Sequence, residues 1–209
     1  MTPIDRLIGH VDDALRTLMP GVQKAQRAEP GAELPEADLS PEERQHVIGL
    51  MRVNHCGEVC AQGLYAGQAA TARLADTREQ MQQAAQEEQD HLAWCESRLA
   101  QLDGSTSRLN PLFYGLSFTM GALAGLAGDR WSLGFVAATE DQVSDHLREH
   151  LDRLPPSEAR SRAVIEQMLL DEQAHAEHAR VGGGAELPRP VKGLMKMVAK
   201  VMTTSTYRL

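Results

Sequence analysis

Two copies of a Glu-x-x-His motif, Glu88–His91 and Glu172–His175, contain the residues of this chain best suited to chemistry. In an α-helix, residues i and i+3 lie on the same face, so each motif can direct a carboxylate and an imidazole at one metal ion. Helical bundles with a di-iron or di-manganese carboxylate site combine two such motifs with a single glutamate from each of two other helices. A site of this kind therefore requires two more inward-facing glutamates.

Glu58 and Glu140 meet this requirement, because each interrupts an otherwise apolar helical pattern. Burying four carboxylates without counter-charges costs several kcal/mol per ion, whereas two divalent cations would balance them. Carboxylate and imidazole ligands suit iron or manganese. The predicted ligands of a dinuclear site are Glu58, Glu88, His91, Glu140, Glu172 and His175.

The order of these residues also predicts their roles. We expect Glu88 and Glu172 to bridge the two ions, and the remaining ligands to serve one ion each, Glu58 with His91 and Glu140 with His175. The ring nitrogen of each histidine that does not bind metal needs a hydrogen-bond partner. Three acidic residues could fill that role or could equally lie at the surface: Asp171, Glu87 and Asp141.

A third match, Glu43–His46, has a simpler explanation. Ser40, Pro41 and Glu43 form the pattern of a helix N-terminus, in which Ser40 and Glu43 make a capping box. We therefore expect this match to lie at the surface.

Helical periodicity accounts for the whole chain, and no alternating strand pattern competes with it. The predicted fold is all-α, a ferritin-like four-helix bundle with short N-terminal and C-terminal amphipathic helices. We expect an amphipathic helix at residues 1–19, a proline- and glycine-rich linker at 20–39, and the bundle domain at 40–209.

The composition restricts the function and the compartment. The formal net charge is −8 over 209 residues, which argues against nucleic-acid binding. The three cysteines, at positions 56, 60 and 95, show no disulfide framework and suit a reducing compartment. Acidic residues interrupt the N-terminus before a signal-peptide pattern forms. We expect a protein that faces the cytoplasm.

Two segments indicate contact with lipid. Residues 110–128 carry no charge, and residues 190–203 combine an apolar side with three lysines at four-residue spacing. The first segment could dock onto a bilayer, line a channel for an apolar substrate or pack as core, and the second could lie at a membrane interface or pack on the bundle. Together they favour a peripheral membrane protein on the cytoplasmic side of the cell membrane.

Longer stretches of the chain resemble the demethoxyubiquinone hydroxylase family of ubiquinone biosynthesis. The segments that carry this resemblance are Arg52–Glu58, Glu87–Cys95, Trp131–Glu140 and Val201–Leu209. The resemblance implies a di-iron monooxygenase with two iron ions per chain, which uses O₂ to hydroxylate the ring of a polyprenylated methoxy-benzoquinol. It assigns the same six ligands. It also implies an electron donor and membrane lipid as partners, and it leaves open other ubiquinone-biosynthesis proteins or a homo-oligomer.

Other activities on the same bundle are the alternatives. An iron-storage or metal-binding protein would predict a polar exterior, which the uncharged segment contradicts. A rubrerythrin-like peroxidase would need Cys-x-x-Cys pairs, and a tRNA hydroxylase would need a basic surface.

Overall fold

The computed structural model describes residues 3–72 and 75–209, which form seven α-helices and no β-strand. This confirms the predicted all-α class. Residues 1 and 2 of the predicted N-terminal helix lie outside the described residues. The helices are α1 (Pro3–Leu18), α2 (Pro41–Thr71), α3 (Ala75–Gln101), α4 (Asn110–Ala127), α5 (Asp129–Arg153), α6 (Ala159–Val181) and α7 (Arg189–Thr206).

The bundle is built from α2, α3, α5 and α6. Helix α2 packs on α3, α5 packs on α6, and α3 contacts α6. The predicted capping box starts α2, because the Ser40 hydroxyl accepts from the Glu43 amide while the Glu43 carboxylate accepts from the Ser40 amide. In the described residues, buried apolar side chains form three clusters: one around Leu50, Leu99 and Met168, one around Tyr65 and Val136, and one of Val59, Leu92 and Tyr114.

Helix α4, which contains most of the uncharged segment, packs along α2 through glycines of both helices. Added Cβ atoms at Gly67 and Gly121 would collide with backbone atoms of the facing helix, so only glycine permits this approach. The opposite side of α4 exposes leucines at positions 112, 116, 123 and 126. The segment is therefore packed on one side and apolar at the surface on the other.

Residues 20–39, which we call the strap, contain no helix or strand but are held against the bundle. Arg27 pairs with Asp90 and Asp171, and Glu36 pairs with the buried Arg98. The strap therefore lies across α3 and α6.

The C-terminal helix α7 lies over α2 and α5. After it, the Tyr207 hydroxyl contacts the His46 ring, and the Leu209 carbonyl accepts from the Arg108 amide. In the described part of the chain, no helix is long and apolar enough to cross a membrane.

Candidate metal centre

The six predicted ligands come from the four bundle helices and are all buried. Glu58 lies on α2, Glu88 and His91 on α3, Glu140 on α5, and Glu172 and His175 on α6; none is more than 8% exposed. Each lies in the inward stripe that helical periodicity predicted for its helix. The sequence therefore directs four carboxylates and two imidazoles into one interior.

Four of these residues converge around one point. Glu58, Glu88, His91 and Glu172 each offer a ligand atom, and the four atoms lie within 4.8 Å of one another. His91 Nδ1 is 2.8 Å from Glu88 Oε2, 3.2 Å from Glu172 Oε1 and 3.7 Å from Glu58 Oε2. This group could hold a metal ion.

The remaining two residues lie beside this group. His175 Nδ1 is 2.9 Å from Glu88 Oε1 and 3.3 Å from Glu172 Oε2. Glu140 is buried next to them and accepts a hydrogen bond from the Tyr65 hydroxyl. Glu88 and Glu172 thus each turn one oxygen toward His91 and the other toward His175, which is the placement expected of bridging carboxylates.

Several polar atoms of the cluster lack hydrogen-bond partners within the described residues. They are Glu58 Oε2, both Glu88 oxygens and His91 Nδ1. His91 Nδ1 lies 2.8 Å from Glu88 Oε2 and 3.7 Å from Glu58 Oε2, but neither contact has the geometry of a hydrogen bond. Buried polar atoms left without partners are rare in proteins, and a divalent cation would satisfy all of these. The donor set therefore fits a metal ion.

The charges of the cluster shift the pKa values of its members strongly. Burial, together with the charges of Glu88 and Glu172, raises the pKa values of Glu58 and Glu140 well above the usual range. Burial alone would raise the pKa of Glu88, but the two histidines hold it below its usual value. Burial opposes protonation of His175, yet Glu172 and Glu88 raise its pKa to about 12. Without metal, the cluster thus holds protons that binding of cations would release.

The second nitrogen of each histidine is occupied by an acidic residue of the opposite helix. His91 Nε2 on α3 is 2.8 Å from Asp171 Oδ2 on α6, and His175 Nε2 on α6 is 2.9 Å from Glu87 Oε2 on α3. Such contacts fix the orientation of a ligand imidazole. Asp141 instead lies on the exposed side of α5 and pairs with Arg180.

The structure adds three residues that sequence analysis did not assign to the site. Tyr65, two helical turns beyond Glu58, donates a hydrogen bond to Glu140. Arg27 of the strap reaches Asp171, and no local pattern signals this contact. His150 is buried and its Nδ1 lies 2.7 Å from Asn54 Oδ1, one turn before Glu58.

A cleft of about 980 Å³ lies between α2, α4, α5 and α7 and reaches Glu58. Most of its wall surface is apolar, with polar groups near Glu58 and charged side chains elsewhere along it, namely Asp145, Glu149, Arg153, Lys196, Lys200 and Arg208. Residues along it include Asn54, Glu58, Cys60, Leu64, Phe113, Leu116, Met120, Phe135, Val143, His146, His150, Met195, Val198 and Met202. Such a volume and lining are typical of a site for an apolar small molecule.

Comparison with known proteins gives consistent results. A family model described as ubiquinone biosynthesis protein COQ7 matches residues 45–206. The chain is 58% identical to a 3-demethoxyubiquinol 3-hydroxylase of Pseudomonas fluorescens, over all of this chain and 97% of that protein. Proteins with the same name from Ectopseudomonas mendocina and Alcanivorax borkumensis are 57% and 54% identical, over all of this chain and 97% and 98% of their own lengths.

Proposed function

The chain belongs to the COQ7 family of ubiquinone biosynthesis proteins, and from this we propose that it is a di-iron hydroxylase of the demethoxyubiquinol ring. The relatives carry the name of that reaction over their full lengths. In this proposal two iron ions per chain are held by Glu58, Glu88, His91, Glu140, Glu172 and His175.

The cleft that reaches Glu58 is the main structural support for this function. A storage site needs access for ions only, whereas this cleft has a mostly apolar wall surface and is large enough for a substituted aromatic ring with part of a prenyl tail. Phe113, Leu116 and Met120 of α4 form one wall, and Met195 and Val198 of α7 form another. A ring at the inner end would lie beside the carboxylates.

The protein supplies a dry, negatively charged pocket for this chemistry. Iron, when bound, activates O₂ for insertion of one oxygen atom into a ring C–H bond. The other oxygen atom leaves as water, so each turnover needs two electrons and two protons from a donor. The apolar clusters on either side of the carboxylates exclude bulk water, which strengthens electrostatic interactions inside the site.

We also propose that the enzyme acts as a peripheral protein at the cytoplasmic side of the cell membrane. A polyprenyl tail partitions into a bilayer, so the enzyme must collect its substrate there. Exposed leucines of α4 and exposed apolar residues of α7, including Leu194 and Met197, support this, as do the lysines of α7.

The experiment that tests the function is complementation of a ubiquinone-deficient strain that accumulates the demethoxy precursor. The wild-type chain should restore ubiquinone. The variants Glu140→Ala and His175→Ala should leave the precursor unconverted, because each removes a proposed ligand. Quinones extracted from the cells, separated by chromatography and identified by mass, give the result.

His178→Ala is the matched control, because His178 lies one turn after His175 on α6 but is exposed. It should complement as well as the wild type. Equal rescue by Glu140→Ala and His175→Ala would contradict the site, and mineralisation of hundreds of iron atoms per chain would favour storage instead.

A further inference from the structure

Arg27 of the strap connects to the metal cluster through one carboxylate. Its Nη1 lies 2.8 Å from Asp171 Oδ2, and the same oxygen lies 2.8 Å from His91 Nε2. Asp171 therefore has the arginine on one side and the ligand imidazole on the other.

The arginine is itself held in place by further contacts. Its Nε lies 2.6 Å from Asp90 Oδ2, and the neighbouring amide of Gln26 donates to Asp90 Oδ1 at 2.6 Å. Its guanidinium lies 4.7 Å from the centre of the Trp94 ring, and the Trp94 indole donates to the Arg27 carbonyl. Asp90 and Trp94 flank His91 on α3, so the strap is docked beside this histidine.

His175, the other histidine of the cluster, has a more exposed hydrogen-bond partner than His91. Its partner Glu87 has a side chain that is 46% exposed, compared with 19% for Asp171. Gln83 donates to the Glu87 carboxylate just as Gln167 donates to Asp171, so within the described residues the contact from Arg27 is what distinguishes the two halves. The two halves of the cluster, similar in their ligands, are therefore held with unequal firmness.

We propose that Arg27 is a positioning residue for His91 and makes the two metal positions inequivalent, so that the position served by His91 binds first and more tightly. The inference rests on the metal site of the proposed function. Arg27 fixes Asp171, Asp171 fixes the imidazole ring with Nδ1 facing the carboxylates, and an ion then meets a ligand that is already oriented. His175 must instead be ordered when its ion binds. Removing the residue that directly contacts a metal ligand typically lowers metal affinity about 10- to 100-fold, and loss of Arg27, one contact further out, should fall at the lower end of this range.

The test is titration of the metal-free, full-length protein with Co²⁺ in competition with a chelator, followed by the visible absorption of the bound ion. Wild-type protein should bind two ions in two steps of different affinity. Arg27→Gln should weaken the tighter step about 10-fold and leave the weaker step unchanged. Arg27→Lys keeps the charge but cannot reach both carboxylates as the guanidinium does, and should lie between the two.

Arg160→Gln is the control for general loosening of the strap. Arg160 holds the other end of the strap, through Glu36 and the Leu34 carbonyl. The Arg160→Gln variant should therefore bind both Co²⁺ ions as the wild type does. Equal weakening of both steps in Arg27→Gln, an unchanged first step, or equal affinities in the wild type would each overturn the inference. Wild-type protein that binds no Co²⁺ would overturn the proposed metal site itself.

Discussion

Tyr65 joins α2 to the carboxylate of Glu140 on α5, and both side chains are buried. Burial and the nearby charge of Glu140 raise the pKa of Tyr65 well above its usual value, so the phenol keeps its proton and donates it in the hydrogen bond. Glu140 is thereby held at the edge of the cluster beside His175. Tyr65 thus orients the Glu140 carboxylate through a hydrogen bond, as Asp171 orients the His91 ring.

We predict that Tyr65→Phe weakens the second, weaker step of Co²⁺ binding about 10-fold or more and leaves the first step unchanged, because the ring still packs but Glu140 loses its donor. The same chelator competition measures it. Tyr114→Phe removes a hydroxyl from a buried tyrosine of α4 and should change neither step. An unchanged second step in Tyr65→Phe would show that Glu140 does not depend on the phenol.

At this scale, spacing along one helix was enough to predict which residues enter the cluster. Glu88 and His91 must share a face whatever the tertiary fold, whereas spacing left Asp171 and Glu87 equally open between a histidine partner and a surface residue. The crosswise pairing of these acids with histidines of the opposite helix depends on how α3 and α6 pack. Arg27 was not predictable, because it lies 63 residues from Asp90 and no helical period relates them.

The contact between α2 and α4 depends on small residues at the positions where the two backbones approach. A Cβ at Gly121 would meet the backbone of Leu64, whereas one at Gly115 would meet no atom within 4 Å. Replacement of glycine by alanine on α4 should therefore destabilise the protein at position 121 but not at position 115. Because α2 carries Glu58, displacement of α4 would also disturb the cleft.

We predict that Gly121→Ala lowers the free energy of unfolding by about 1–3 kcal/mol, because the helices must move apart. Gly115→Ala should leave it unchanged or raise it by about 0.5–1 kcal/mol, because alanine restricts the unfolded chain and suits a helix better. Denaturant unfolding of the metal-free proteins measures both values. Equal stabilities would mean that the close approach at Gly121 is not needed.

The sequence alone could not decide whether α4 packs in the protein or contacts lipid, and the reason is physical. Glycines spaced along an apolar helix allow close packing equally well in lipid and in water. That α4 packs on α2 could not be inferred, because the need for glycine at positions 63 and 67 of α2 is visible only once α4 lies against them. The strap raised a similar difficulty, since its prolines and glycines indicated a linker while its charged side chains hold it against the bundle.

Across the whole molecule, the exposed apolar side chains of α4 and α7 flank the cleft that reaches Glu58. Leu116 and Met120 line the cleft, and Leu123 lies one turn further along α4 with 62% of its surface exposed. A bilayer in contact with this side would cover the leucines and face the cleft. The lysines of α7 would then lie near the lipid headgroups.

We predict that Leu123→Ser lowers binding of the full-length protein to phosphatidylcholine–phosphatidylglycerol vesicles about 10-fold, because burying a leucine in an apolar medium contributes about 1.5–3 kcal/mol when complete. Co-sedimentation with the vesicles measures the partition. Leu170→Ser is the matched control, because Leu170 on α6 has the same 62% exposure but lies outside the cleft walls.

The comparison of Leu123→Ser with Leu170→Ser distinguishes a defined membrane-docking face from non-specific adsorption to lipid through any exposed apolar residue. Loss of binding in Leu123→Ser alone would place the bilayer against the side of α4 that continues from Leu116 and Met120. The prenyl tail could then pass from lipid into the cleft without crossing water, which would otherwise cost about 0.8 kcal/mol for each exposed methylene group. Equal loss in both variants would mean that lipid contact is unrelated to the cleft, and the substrate would need another route to Glu58.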